Sequence, residues 1–218
     1  MGAHQGGYHE AQRNPTKQLV SRIIRGTAKP SERFIPDHTT LIEVILELRA
    51  MGCVVVLILG VWDLFHMGHA LFIHQGKEEA KKLYPDAEHI IAIIGVDSDA
   101  FTKSRKGPER PIVPEDERVT VLGHLREVDI LTLQYEADQL FKLIEHDVRV
   151  ISQSTQDLPG LELIKSQCKH VVNLPPQAET STTARIRRLN YDGGIETLLK
   201  VKTALTNALQ EIELGLKP

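Results

Sequence analysis

Cys53-Val54-Val55-Val56-Leu57-Ile58-Leu59-Gly60-Val61-Trp62-Asp63-Leu64-Phe65-His66-Met67-Gly68-His69 is the stretch on which the fold turns. Val54 to Leu59 is an unbroken β-branched and aliphatic run, the composition of a strand covered on both faces. Gly60 interrupts it, a short turn carrying Asp63 and His66 follows, and His69–Tyr84 reads as a helix. A buried strand that passes through a turn into a helix is the first half of a strand–helix–strand unit.

The same alternation continues downstream. Ile90–Val96 reads as a second buried strand, Glu115–Leu125 as a helix behind Pro114, and Ile130–Leu133 as a strand. Ala137–Glu145 is expected to be helical, Val148–Ile151 a strand, Leu161–Gln167 a helix, His170–Leu174 a strand and Thr182–Leu189 a helix. The fold expected is α/β: a Rossmann-like, parallel five-stranded sheet with right-handed crossovers and helices on both faces. Ligands of such sheets sit beyond the strand C-termini. That places the site after Leu59, Val96 and Leu174.

Upstream, residues 1–13 are rich in Gly, His and Gln and carry no periodicity. Asn14-Pro15 marks a helix start, with Leu19, Val20, Ile23 and Ile24 as its stripe and Gly26 as its stop. Residues 27–38, with Pro30 and Pro36, read as a linker. Thr40-Leu41-Ile42-Glu43 matches a capping box, and the helix behind it runs to Ala50. Gly194 to Leu214 carries Ile195, Leu198, Val201, Leu205, Leu209 and Ile212 at spacings of three and four, the pattern of a long helix that packs on its own domain or pairs in a homodimer. The expected domains are a flexible N-terminal segment with one short helix (1–38), the α/β domain (39–190) and a C-terminal helix (191–218).

The 218 residues are 41% hydrophobic and 25% charged, with a formal net charge of −3. Nucleic-acid binders show a basic excess, which is missing here, so no nucleic-acid partner is expected. The longest apolar stretch, Cys53–Trp62, is shorter than the roughly 20 residues a membrane helix needs. The first ten residues lack the apolar core of a secretion signal. We expect no membrane association and a cytoplasmic location. Cys53 and Cys168 belong to no metal or redox pair.

Chemistry concentrates after the first strand. His66 and His69 flank Gly68 where a helix begins, and the outward-facing amides of a helix N-terminus favour an anion. A pair of structural histidines is the plain alternative; zinc would need further ligands that the sequence does not offer. Lys103, Arg105, Lys106 and Arg110 put four cations within eight positions, read as a mobile loop able to close over phosphates. Ser181, Thr182 and Thr183 stand at a helix start as N-cap residues.

His66-Met67-Gly68-His69 resembles the H-x-G-H signature of the cytidylyltransferase-like nucleotidylyltransferases. Gly95–Lys103, Lys106–Pro111, Pro114–Arg118, Leu122–Asp129 and Thr180–Ile186 follow in the order seen in glycerol-3-phosphate cytidylyltransferases and, more closely, in the adenylyltransferase domain of ADP-heptose synthases. The likeness covers roughly residues 53–190. It implies transfer of a nucleoside monophosphate from an NTP, ATP or CTP, to a sugar- or polyol-phosphate with loss of pyrophosphate. Mg²⁺ would arrive with the NTP and no fixed protein metal site is implied. The implied catalytic residues are His66, His69, Lys103, Lys106 and Arg118. The implied nucleotide-binding residues are Gly60, Val61, Trp62, Asp63, Gly68, Ser181, Thr182 and Thr183, with Trp62 in place of the usual Phe. Asp97 and Arg110 are candidate acceptor contacts, Asp97 alternatively an Mg²⁺ contact. Other readings are a cofactor-type adenylyltransferase acting on FMN, pantetheine phosphate or nicotinamide mononucleotide, and a nucleotide-binding relative without turnover.

The chain departs from the family after the fourth strand, where Ser152-Gln153-Ser154-Thr155-Gln156-Asp157 replaces glycines and paired acids. It departs again at Pro176-Gln177-Ala178-Glu179, which lacks the arginine of cytidylyltransferases. Both changes fall where base and acceptor would be read, so the family's acceptors are not assigned to this chain.

Overall fold

The computed structural model describes residues 14–153, 166–176, 199, 200, 202 and 203. Its strands are β1 (Val54–Gly60), β2 (Ile90–Asp97), β3 (Ile130–Gln134), β4 (Val148–Ser152) and β5 (His170–Leu174). They form one five-stranded sheet in the order β3-β2-β1-β4-β5, each neighbouring pair parallel. This is the expected α/β sheet. The chain steps outward from β1 to β2 and β3, then returns to the other side of β1 for β4 and β5. The reversal opens a crevice between the C-terminal ends of β1 and β4, where α/β sheets hold their ligands.

Helices α1 (Pro15–Ile24), α2 (Pro30–Arg33), α3 (His38–Ala50), α4 (Met67–Leu83), α5 (Asp99–Lys106), α6 (Glu115–Gly123) and α7 (Gln139–Leu143) accompany the sheet. Successive residues of a strand face opposite sides. Val55 and Leu57 of β1 pack with Val20, Ile23, Leu41 and Val44 of α1 and α3 and with Leu140 of α7. Val56 and Ile58 pack with Ile73 and Ala80 of α4 and Leu122 of α6. A strand buried on both faces must be apolar throughout, which is why Val54–Leu59 reads as it does.

Several expectations need correction. Residues 27–38 are not a free linker. Glu32 accepts from the Lys29 amide and caps α2. The Arg33 guanidinium donates to the carbonyls of Gly123, Leu125 and Val128. Ile35 N–H then reaches Leu131 O at 2.8 Å, tying the segment to the edge of β3. Of the segment expected to be flexible, residues 14–38 carry two helices, and α1 buries Val20 and Ile23, each worth about 1.5–3 kcal/mol. The cap of α3 is Asp37, whose carboxylate accepts from Thr40 N–H and Oγ, so Thr40 lies inside the helix. The basic stretch expected as a loop is largely helical: Ser98 Oγ caps α5 by accepting from Phe101 N–H, and Lys103, Arg105 and Lys106 form its last turn.

The chain divides into two compact units, Met1–Glu179 and Thr180–Pro218. Ser181, Thr182, Thr183 and the helix expected over 182–189 lie outside the described residues. So does most of the C-terminal helix, of which Leu199, Lys200, Lys202 and Thr203 are described and helical. Among the described residues no helix is long and apolar enough to cross a membrane.

Candidate active site

The turn between β1 and α4 sits at the lip of the crevice. Trp62 (φ 61°) and Leu64 (φ 45°) adopt left-handed backbone, which costs on the order of 1–3 kcal/mol for each non-glycine residue. Neighbours hold Trp62 in place. Trp62 is buried, and its Nε1–H donates to Gly95 O at 3.0 Å. A Cβ on Gly60 would stand 3.0 Å from Cε2 of that indole, so Gly60 makes room for Trp62. Between the two strained residues lies Asp63, 2% exposed. Its carboxylate accepts from the amides of Ile112 and Val113 at 2.9–3.1 Å and pairs with Arg110, Nη2 at 2.8 Å and Nε at 2.9 Å. Asp63 thus straps the basic segment to the turn.

His66 is the N-cap of α4, its carbonyl accepting from His69 N–H at 2.9 Å. This backbone cap starts the helix at Met67, two residues before the periodicity does. The His66 and His69 rings stack, with centroids 3.9 Å apart and planes 21° from parallel. Trp62 meets His69 edge-on at 5.4 Å, and Phe65 lies 5.5 Å from the same ring. Both imidazoles are half-buried and Gly68 is buried beneath them. A helix N-terminus with two imidazoles beside it has amides and ring nitrogens of the kind that suit an anion.

Arg118, expected to reach a triphosphate, sits elsewhere. It is 2% exposed. Its Nε donates to Val113 O at 2.9 Å, Nη1 to Asp97 O at 2.9 Å and to Val61 O, and Nη2 to Asp99 Oδ1 at 2.6 Å. A guanidinium has five N–H donors. Four of them here join the ends of β1 and β2 to the strap and to α5. Arg118 is a clasp beneath the site. Arg110 is likewise taken up by Asp63.

Lys103 and Lys106 remain, exposed on the last turn of α5 and without a carboxylate partner among the described residues. Packing around the Lys106 amine pushes its pKa below the ordinary lysine range, and Arg110 and Arg105 push it further. An anion placed there would relieve the repulsion. Asp97 ends β2, 2% exposed. It takes Gln134 Nε2–H on Oδ1 at 3.0 Å and Arg105 Nη1 near Oδ2 at 3.3 Å. Burial raises its pKa despite Arg105, Lys106, Gln134 and Arg118. With Asp63, Asp97 and Asp99 each paired to a protein guanidinium, the carboxylates here do not fit an Mg²⁺ cage. Among the described residues no three His, Cys, Asp or Glu converge on a metal position.

The sequence reading passed over two buried residues. Gln134 ends β3, and its signal was a polar residue two places after Thr132 in an otherwise apolar strand. Arg149 lies inside β4, where Nη1 donates to Leu57 O at 3.1 Å and burial pushes its pKa down to about 10.

Residues 57–188, more than half of the chain, match the family model described as Cytidylyltransferase-like. The chain belongs to the cytidylyltransferase-like family. Its relatives include the Bifunctional protein HldE of a Nitratiruptor species, 32% identical over 80% of this chain and 36% of the relative. The protein of that name from Yersinia enterocolitica is 30% identical over 90% of this chain and 35% of its own. The chain therefore spans about a third of the length of the curated relatives it matches. A solved structure, the lipopolysaccharide core biosynthesis protein from Thermoplasma volcanium, aligns with a TM-score of 0.42 at 23% identity, covering 56% of this chain and 95% of that one. Within the cytidylyltransferase-like match lie the stacked histidines, Asp63, Arg118 and the basic turn of α5.

Proposed function

We propose that the chain is a nucleotidylyltransferase that moves a nucleoside monophosphate from ATP or CTP to a sugar- or polyol-phosphate and releases pyrophosphate. The observation that carries this is the stacked His66–His69 pair at the N-terminus of α4, with Asp63 strapping the basic segment beside it. A phosphate oxygen of the acceptor attacks the α-phosphorus of the NTP. The new O–P bond forms in line as the bond to the β-phosphate bridging oxygen breaks, and pyrophosphate leaves with that electron pair. The acceptor phosphate is an anion near neutral pH, so no strong base is required. Catalysis is then positioning and charge stabilisation.

His66, His69 and the α4 amides would hold the reacting phosphates, with Gly68 allowing close approach. Lys103 and Lys106 would meet the triphosphate and the acceptor phosphate. Arg118 and Asp63 would position these groups without touching the substrate. Mg²⁺ would enter as part of the nucleotide substrate. The site needs neither membrane nor nucleic acid, in keeping with a cytoplasmic enzyme.

The test is a panel of the four NTPs against phosphorylated sugars and polyols, with FMN, pantetheine phosphate and nicotinamide mononucleotide alongside and pyrophosphate as the readout. His69→Ala should lower turnover by on the order of 10²-fold, the effect of losing one donor to developing charge. If ATP or CTP binds and no acceptor yields pyrophosphate, the chain is a nucleotide-binding relative without turnover. An unchanged rate in His69→Ala removes that imidazole from the mechanism.

A further inference from the structure

We propose that Asp97 and Gln134 form the subsite that recognises hydroxyl groups of the phosphorylated acceptor, with Gln134 as a specificity-determining residue. This rests on the transfer reading above and adds the chemistry of the acceptor's non-phosphate part. The two residues are Cα partners in the parallel register of β2 and β3, at the C-terminal ends of both strands. They are 2% and 4% exposed. Gln134 Nε2 must face the carboxylate, because only the amide nitrogen can donate to Asp97 Oδ1. That fixes where Oε1 points, and Oε1 is buried with no partner among the described residues. Two places back on the same face of β3, Thr132 Oγ1 is also buried without one. Buried polar atoms in native folds are nearly always satisfied. Gln134 Oε1, on the side chain that donates to the buried Asp97 carboxylate, therefore marks a place that a polar ligand or a water completes.

The charge of the place selects the ligand. A buried acid and an amide oxygen are acceptors: they suit hydroxyl donors and repel a phosphate. The cations lie immediately outward, where Arg105 stands 3.3 Å from Asp97 and is half-exposed, and Lys106 follows it on α5. A polyol or sugar phosphate carries hydroxyls a few bonds from its phosphate. It can lay the phosphate on the α5 cations and turn its hydroxyls to Asp97 and Gln134. A site built to hydrogen-bond a hydroxyl discriminates strongly against the analogue that lacks it, because its own buried groups are then left unpaired.

The experiment uses the full chain in titration calorimetry with ribose 5-phosphate, 2-deoxyribose 5-phosphate and glycerol 3-phosphate, and with ATP as the check on an intact nucleotide site. The wild type should bind at least one hydroxylated phosphate more tightly than the deoxy compound. Gln134→Met should weaken that binding roughly 10-fold and Asp97→Asn roughly 10- to 100-fold, the range for one neutral and one charged hydrogen bond. Both should leave ATP affinity unchanged and erase the preference over the deoxy sugar. If Gln134→Met does not fold, Asp97→Asn and Gln134→Asn carry the comparison. Equal binding of the sugar and its deoxy form, variants that bind like the wild type, or no binding of any of the three phosphates overturns the proposal and leaves a structural water as the occupant. Hydroxyl-dependent binding without pyrophosphate release would retain the subsite and remove the transfer reading. Pyrophosphate release with an unaltered acceptor KM in both variants would do the reverse.

Discussion

Replacing Arg118 by lysine distinguishes a clasp from a nucleotide contact. In the wild type four N–H groups of one guanidinium reach three carbonyls and the Asp99 carboxylate, from β1, β2, the strap and α5. An ammonium on a flexible stem keeps the charge but cannot span four acceptors arranged around a planar fork. If it keeps two, the loss is two charge-assisted bonds at about 1.5 kcal/mol each, or about 3 kcal/mol. For a chain of this size 1 kcal/mol lowers Tm by roughly 2–4 °C, so Arg118→Lys should melt roughly 6–12 °C below wild type. Urea unfolding should show a lower midpoint with an unchanged slope. Turnover should fall too, since the turn and strap loosen together, and saturating nucleotide should restore part of the melting temperature. A variant with wild-type stability and a large loss of nucleotide affinity would refute the clasp and make Arg118 a direct ligand contact.

Gly95→Ala places a Cβ 2.3 Å from Leu59 Cδ2 and 2.5 Å from Leu140 Cδ1. Those are movable side-chain ends, so the strand should survive with about 1–3 kcal/mol lost, read as a lower Tm; an unchanged Tm would mean that the face is loosely packed. Asp147, 3% exposed, accepts from Val55 N–H and is paired with Arg49 and Lys169. Burial raises its pKa, but the Lys169 and Val55 hydrogen bonds and the Arg49 and Lys169 charges outweigh burial and leave it lowered. A lowered carboxylate stabilises above its ordinary pKa of 3.8 and loses that contribution as pH falls through its folded value. Asp147→Asn should therefore cost about 2–3 kcal/mol at neutral pH, with the gap to wild type closing below pH 3.8 in acid-unfolding curves; a gap independent of pH would deny the ion pairs their role.

What was legible in the sequence followed from burial. The inner strands could be read because strands covered on both faces must be apolar, and Val54–Leu59 or Ile90–Val96 admits few other structures; β5, buried only at Leu174, was read from the alternation of strand and helix. Helix boundaries slipped wherever a cap came from a group that periodicity does not register. Asp37 took the place of Thr40, and the His66 carbonyl started α4 early. The helix α5 was missed because Lys103, Ser104, Arg105 and Lys106 ahead of Gly107-Pro108 have the composition of a loop, although Ser98 supplied the cap signal. His66, His69 and Asp63 could be read locally, being neighbours in one turn. The contacts of Arg118 could not, because its four acceptors come from segments up to 57 positions away that meet only when the sheet is assembled.

That distinction bears on how the site would work. Of the five cations at first assigned to phosphates, Arg105, Arg110 and Arg118 face Asp97, Asp63 and Asp99, while Lys103 and Lys106 stay exposed without a carboxylate partner among the described residues. The paired arginines hold a turn that two left-handed residues make costly to maintain. A turn with that much strain would relax if Asp63 lost its strap or Trp62 its bond to Gly95. A displacement of about 1 Å in a site of this kind is enough to lower a rate by on the order of 10²-fold. The arginines would thus act through geometry and the lysines and imidazoles through charge. Substitutions in the first group should therefore alter stability and turnover together, and those in the second should alter turnover alone.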